Sequence, residues 1–258
     1  MWRPIAQSLQ GPSHFADGSP CQDSHCLRVF GANGDETLLA CIADGAGSAK
    51  YSDVGSALAC AVVLENAAAH FESKQRFDDL QLEDVIRWCD DARGRIREEA
   101  AGRDCNWREL ATTLAVAIVA PQRAFFFQIG DGAIVLGSRG VYGVVFWPQS
   151  GEYANQTNFL TSDEYRSRMD FLSTTGHWSE VALFTDGLER LALRFDSQTP
   201  HAPFFDPLFR TVRAAEDLNV LSEQLRRFLG ADSVQSRSDD DKTLILASRR
   251  ADDLDHAV

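Results

Sequence analysis

Apolar positions along the chain gather into short dense runs separated by polar stretches. "ETLLACIA" (36–43), "TTLAVAIVA" (112–120), "RAFFFQI" (123–129), "AIVLGS" (133–138), "EVALFTD" (180–186) and "TLILAS" (243–248) are brief and rich in β-branched or aromatic residues, so each reads as a strand. The two runs that flank Asp131-Gly132 read together as a β-hairpin. A 3.6-residue period replaces these runs from about Ser52 to Phe71, where Val54, Ala57, Leu58, Ala61, Val62 and Leu64 recur, and again from Leu82 to Ala101. "GLERLALRF" opens as a helix after the strand that ends at Asp186. The stretch from Ala202 to Leu229 is mainly helical, with Leu221, Leu225, Phe228 and Leu229 on one face. Trp147 to Trp178 is polar and weakly periodic, which suits a loop-rich insertion over a functional face.

Length and composition narrow the class. The 258 residues, 44% hydrophobic and 24% charged, suit a globular protein with a substantial core. No internal repeat or low-complexity linker divides them, so a single domain over 1–258 is expected. A net charge of −13 repels a phosphate backbone, which excludes nucleic acid as an expected partner. The first residues lack the basic start and apolar run of a secretory signal, and no apolar segment reads as a membrane span. The expectation is a cytoplasmic protein without a membrane partner. The six cysteines form no C-x-x-C pair and read as buried free thiols.

Candidate chemistry comes from acids at strand ends. "CIADGAGS", "QIGDGAIV" and "LFTDGLERL" each place Asp-Gly after an apolar run, and "SDDDKT" leads into the last strand. Glycine there lets the backbone turn sharply and approach a bound ion. Asp44, Asp186 and Asp240 all hold such positions, and carboxylates gathered at one place require a neutralising cation. All-oxygen ligation favours Mg²⁺ or Mn²⁺ over zinc. For Asp131-Gly132 a plain turn is an equal alternative to a ligand role.

In order, "PCQDSH", "ADGAGSAKYSDVGS", "ATTLAVAIV", "QIGDGAIV", "LFTDGLERL" and "DDKTLILA" resemble the motifs of the metal-dependent type 2C protein Ser/Thr phosphatases (the PPM family), in a bacterial branch, across nearly the whole chain. The resemblance implies an α+β fold, an α-β-β-α sandwich of two antiparallel sheets flanked by helices. It also implies a protein phosphatase that cleaves phosphoserine or phosphothreonine without a covalent intermediate, through water activated by two Mn²⁺ or Mg²⁺ ions, with a possible third ion. By position, Asp44 would bridge both ions, and the Gly45 carbonyl would ligate one of them. Asp186 and Asp240 would hold the first ion, Asp23 would act near it or through its water, and Asp131 would hold the third. Thr112 and Thr113 match a structural Thr pair. The partners implied are a phosphorylated protein and a cognate Ser/Thr kinase.

The chain departs from the family pattern in places. Gln22 stands where many members carry Glu, which implies weaker binding of the second ion. The phosphate-gripping Arg would fall near Gly18 and is absent, leaving His14 as the candidate for phosphate contact or leaving-group protonation. These departures support one alternative, a weak or inactive phosphatase-like regulatory or binding domain. A remoter one is a cysteine phosphatase using Cys89, whose spacing to Arg95 fits Cys-x5-Arg but whose neighbours Asp90 and Asp91 oppose a thiolate.

Overall fold

The computed structural model describes residues 1–32, 34–74, 76–138, 140–149 and 157–249. The first six residues of "GEYANQTNFLT", the piece expected beside a cleft, therefore lie outside the described residues. The chain begins with β1 (Trp2–Leu9), α1 (Pro12–Asp17), β2 (Ser24–Phe30), β3 (Thr37–Ala43), α2 (Ser52–Lys74) and α3 (Leu82–Gly102). A 3-10 turn (Trp107–Leu110) leads to β4 (Leu114–Val119), β5 (Arg123–Ile129), β6 (Ala133–Ser138) and β7 (Val141–Val144). Then come α4 (Tyr165–Arg168), β8 (Asp170–Thr175), β9 (Glu180–Phe184), a 3-10 turn (Asp186–Leu188), α5 (Glu189–Ala192), β10 (Leu193–Arg194) and β11 (Thr199–Pro200). The last elements are α6 (Ala202–Ala214), α7 (Leu218–Leu229), α8 (Asp232–Gln235) and β12 (Lys242–Arg249).

Two five-stranded antiparallel sheets, β1-β12-β9-β6-β7 and β2-β3-β4-β5-β8, stack face to face. Strand alternation divides the buried residues into three layers. Leu38, Ala40 and Ile42 of β3 meet Val181 and Leu183 of β9 and Ile245 of β12 between the sheets. Leu39 and Cys41 point outward, beneath α2 and α3, with Val63 and Trp88. On the far side, Phe184, Leu244 and Leu246 pack with Phe205, Phe209 and Leu225 of α6 and α7. Both faces of the central strands are covered by apolar groups, which is why they read as unbroken apolar runs. The sandwich and the α+β class expected from the motif resemblance are what the chain adopts.

Several local readings are corrected. β5 and β6 are not a hairpin: β5 pairs with β4 and β8 in one sheet, and β6 pairs with β7 and β9 in the other. The Asp131-Gly132 link crosses between sheets. Gly130, at φ 107°, makes the bend, and neither Asp131 nor Gly132 has the positive φ that a tight type I′ turn requires. Gln128 braces the link by donating from Nε2 to the carbonyls of Gly130 (3.1 Å) and Gly132 (2.7 Å).

The buried face of α2 is only partly the predicted one: Val62 is buried and Val54, Leu58 and Leu64 pack at its edge, but Ala57 and Ala61 are exposed. Gly55, Ser56, Ala59, Cys60, Val63 and Ala67 complete the buried face, and the helix lies close to its neighbours: a Cβ on Gly55 would sit 2.1 Å from the Leu110 carbonyl oxygen. By length and composition this helix is apolar enough to cross a bilayer, contrary to the expectation that no segment is. Here it packs against β2, β3 and α3. The helix opening after Asp186 lasts only one turn as α5 before β10 begins. The segment expected to be loop-rich contains α4 and the edge strand β8.

Candidate active site

Each candidate acid is delivered by the end of a strand. Asp44 follows β3, and its backbone is clamped: Thr113 Oγ1 accepts from Asp44 N (2.9 Å), while Thr112 Oγ1 (3.0 Å) and Thr113 N (2.8 Å) donate to the Asp44 carbonyl. The threonine pair is thus a backbone brace. Gly45 N donates to the Gln22 carbonyl at 3.1 Å, and a Cβ on Gly45 would stand 2.7 Å from Ser52 and 2.8 Å from Gln22 O, so only glycine fits. Asp186 opens the turn after β9, and a Cβ on Gly187 would lie 1.9 Å from the Asp241 carbonyl oxygen. Gly187→Ala is expected to destabilise the fold by about 1–3 kcal/mol, read as a lowered midpoint in urea unfolding. An unchanged midpoint would mean that the Asp186 and Asp240 loops do not pack this closely.

Asp240 and Asp241 precede β12. Lys242, wholly buried, draws their loop inward by donating from Nζ to the carbonyls of Asp240 (2.7 Å) and Ser238 (2.8 Å). Asp23 is buried before β2. Its Oδ2 accepts from Thr185 Oγ1 (2.7 Å), and Thr185 Oγ1 in turn accepts from Thr243 N (3.0 Å). This chain of bonds joins the end of one sheet to the start of the other.

The charges meet. Burial first, then the charges of Asp23, Asp186, Asp240 and Asp131, push the Asp44 carboxyl well above the usual range. Burial, with Asp240 and Asp131 adding to it, raises Asp186 to about 7. Burial raises Asp23 to about 8 against its threonine hydrogen bonds. Asp131 is raised by burial, although Thr157 Oγ1 donates to its Oδ2 at 2.7 Å. Five predicted acids therefore converge from both sheets at one end of the sandwich. Oδ1 of Asp23, Oδ1 of Asp186 and Oε1 of Gln22 are buried with no hydrogen-bond partner. Orphaned oxygen acceptors amid mutually repelling carboxylates fit hard divalent cations.

His14 lies in α1, nearly buried, with Nδ1 2.9 Å from Asp241 Oδ2 and with Asp240 close by. The φ of 77° at Gly18, which caps α1, explains why an arginine is absent there.

Three contributors were not foreseen. Asp241 accepts from Gly11 N and Gln22 N, both at 2.6 Å, and so fixes the segment carrying His14 and the one carrying Gln22 and Asp23. Glu189 is raised to about 8 by burial and by the charges of Asp186 and Asp131. Its only sequence signal was its place three residues beyond Asp186 in a helical opening. Thr157, on Asp131, begins a segment that walls a cleft of about 450 Å³ lined also by Arg108, Phe159, Thr161 and Arg168. Arg93 of α3 holds this segment, donating to the carbonyls of Leu160 and Ser162 with its guanidinium over Tyr165. Cys89, in contrast, is wholly buried in α3, and burial pushes its thiol to about 12. A buried thiol held protonated this way is no nucleophile, contrary to the cysteine-phosphatase alternative.

The two stacked antiparallel sheets flanked by helices match solved bacterial serine/threonine phosphatases in fold. The Stp1 structure from Staphylococcus aureus superposes with a TM-score of 0.64 at 15% identity, covering 97% of this chain and 96% of that one. The catalytic domain of PstP, solved with two manganese ions, gives 0.60 at 17% identity over 96% of this chain and 97% of its own. In sequence, serine/threonine-protein phosphatase 3 of Escherichia coli K12 is 37% identical over 251 residues, 95% of this chain and 98% of that protein. Residues 10–230 match the family model for protein phosphatase 2C. The chain belongs to the protein phosphatase 2C family.

Proposed function

We propose that this protein is a metal-dependent phosphatase that hydrolyses phosphoserine and phosphothreonine in proteins; the E. coli relative is named a serine/threonine-protein phosphatase. The observation that carries the reading is the convergence of Asp23, Asp44, Asp131, Asp186 and Asp240 around buried oxygens that lack partners. In this reading Asp44, the Gly45 carbonyl, Asp186 and Asp240 hold two Mn²⁺ or Mg²⁺ ions, with Gln22 and Asp23 beside them and Asp131 available to a third. When bound, the ions neutralise phosphate oxygens and activate the attacking water. The protein's own part is to hold these carboxylates rigidly through the Thr112–Thr113 brace and the Thr185 and Asp241 bonds. Gln22 contributes an acceptor without charge, which supports weaker retention of one ion than a glutamate would give.

Asp241 orients His14, so its other ring nitrogen is the candidate proton donor to the leaving serine or threonine oxygen. His14→Ala is expected to lower kcat about 100-fold or more on a phosphopeptide at unchanged Mn²⁺ affinity. Equal kcat in variant and wild type would return His14 to a packing role. The cleft walled by Thr157, Phe159 and Arg168 offers the peptide a surface next to Asp131. A Ser/Thr kinase working on the same sites is the counterpart this reading implies, and six free thiols support a reducing, cytoplasmic setting.

The decisive experiment is hydrolysis of a phosphothreonine peptide and of p-nitrophenyl phosphate with Mn²⁺, with Mg²⁺ and with EDTA. Activity that survives chelation would overturn the metal reading.

A further inference from the structure

Three cysteines far apart in sequence meet behind the carboxylate site. Cys26 on β2 stands directly across the strand ladder from Cys41 on β3, and Cys60 of α2 closes over both. Cys41 and Cys60 have their sulfurs 3.6 Å apart, Cys26 Sγ lies 3.2 Å from the Cys60 carbonyl, and the three sulfurs can all stand within 4.8 Å of one another. Three thiolates bound to one d¹⁰ ion at about 2.3 Å sit roughly 4 Å apart, so the cluster needs little rearrangement to close on a cation.

The structure assigns Cys26, Cys41 and Cys60 as an all-sulfur binding site for a single soft d¹⁰ cation of the Zn²⁺, Cd²⁺ or Cu⁺ class, distinct from the oxygen site for Mn²⁺ or Mg²⁺. Sulfur donors select soft ions and discriminate against the hard ones that the carboxylates take. An entry route exists: an open groove lined by Asp23, Ser24, His25, Cys26, Ala57 and Cys60 borders two of the three cysteines and has room for water as a fourth ligand. An arriving cation displaces the protons of the thiols it takes as ligands.

The test is Cd²⁺ titration of the reduced full-length protein in saturating Mg²⁺, followed by the ultraviolet thiolate-to-cadmium charge-transfer band. One equivalent should saturate the band. Cys26→Ala, at a half-exposed position, should weaken Cd²⁺ binding at least about 100-fold with the near-ultraviolet circular dichroism unchanged, and Cys60→Ala should do the same. Cys21→Ala, Cys105→Ala and Asp44→Asn should leave the band intact. A folded wild-type protein without the band, or a band that survives Cys26→Ala, would overturn the assignment. A band that depends on Asp44 would also overturn it, by placing the ion in the carboxylate site.

Discussion

Asp44→Asn is expected to lower kcat/KM on a phosphothreonine peptide by about 100- to 1,000-fold, and at the same time to stabilise the ion-free protein. The two effects have one origin. Asp44 lies where the fields of Asp23, Asp186, Asp240 and Asp131 overlap, so without a cation its charge is opposed by all four. Asparagine keeps the shape and one acceptor oxygen, and the clamps from Thr112 and Thr113 act on the backbone, which the substitution spares. What is lost is the negative charge that a divalent ion requires. Thermal unfolding in EDTA should show the variant melting above wild type, and the order should reverse in Mn²⁺. A variant that keeps near-wild-type activity would remove Asp44 from the site.

The second large effect is on pH. Asp23, Asp186 and Glu189 reach about 8, 7 and 8 in the folded chain, from ordinary values of 3.8, 3.8 and 4.5, with burial the first cause for each. Between about pH 4 and 8 the folded protein therefore holds protons that the unfolded chain has released. Stability must fall as pH rises through that window and be highest near its acid end. In EDTA the melting temperature at pH 8 should lie on the order of 5–10 °C below that at pH 5. Saturating Mn²⁺ should restore most of the difference at pH 8 and little of it at pH 5, where protons already neutralise the carboxylates. A melting temperature in EDTA that climbs from pH 5 to pH 8 would show that these acids do not crowd one another.

The features legible in the sequence share a physical trait. β3, β4, β5, β6, β9 and β12 stood out because most are apolar on both faces. β1, β2, β7 and β8 lie at sheet edges, where one side needs no apolar cover, so "WRPIAQSL" and "DFLSTT" carried no period. Pro4 is tolerated in β1 because an edge strand carries one row of N–H groups without ladder partners. The false hairpin had a related origin: two runs apolar on both faces look alike whether they share a sheet or face each other across the core. Acids placed by strand ends were visible as Asp-Gly pairs. Asp241, Thr185 and Thr157 were not, since their role is to bond residues distant in sequence. The thiol cluster was hidden likewise, because it exists only through the β2–β3 register and the lie of α2.

The pairing of β1 with β12 matches Trp2 to Arg249 and Leu9 to Lys242. A ribosome adding about 5–20 residues per second thus leaves the first strand without its neighbour for roughly 10–50 s. Throughout that interval Trp2 and Ile5 have no layer to enter, and the Asp240 loop has not been made. The nascent chain therefore completes its carboxylate cluster only as β12 is made.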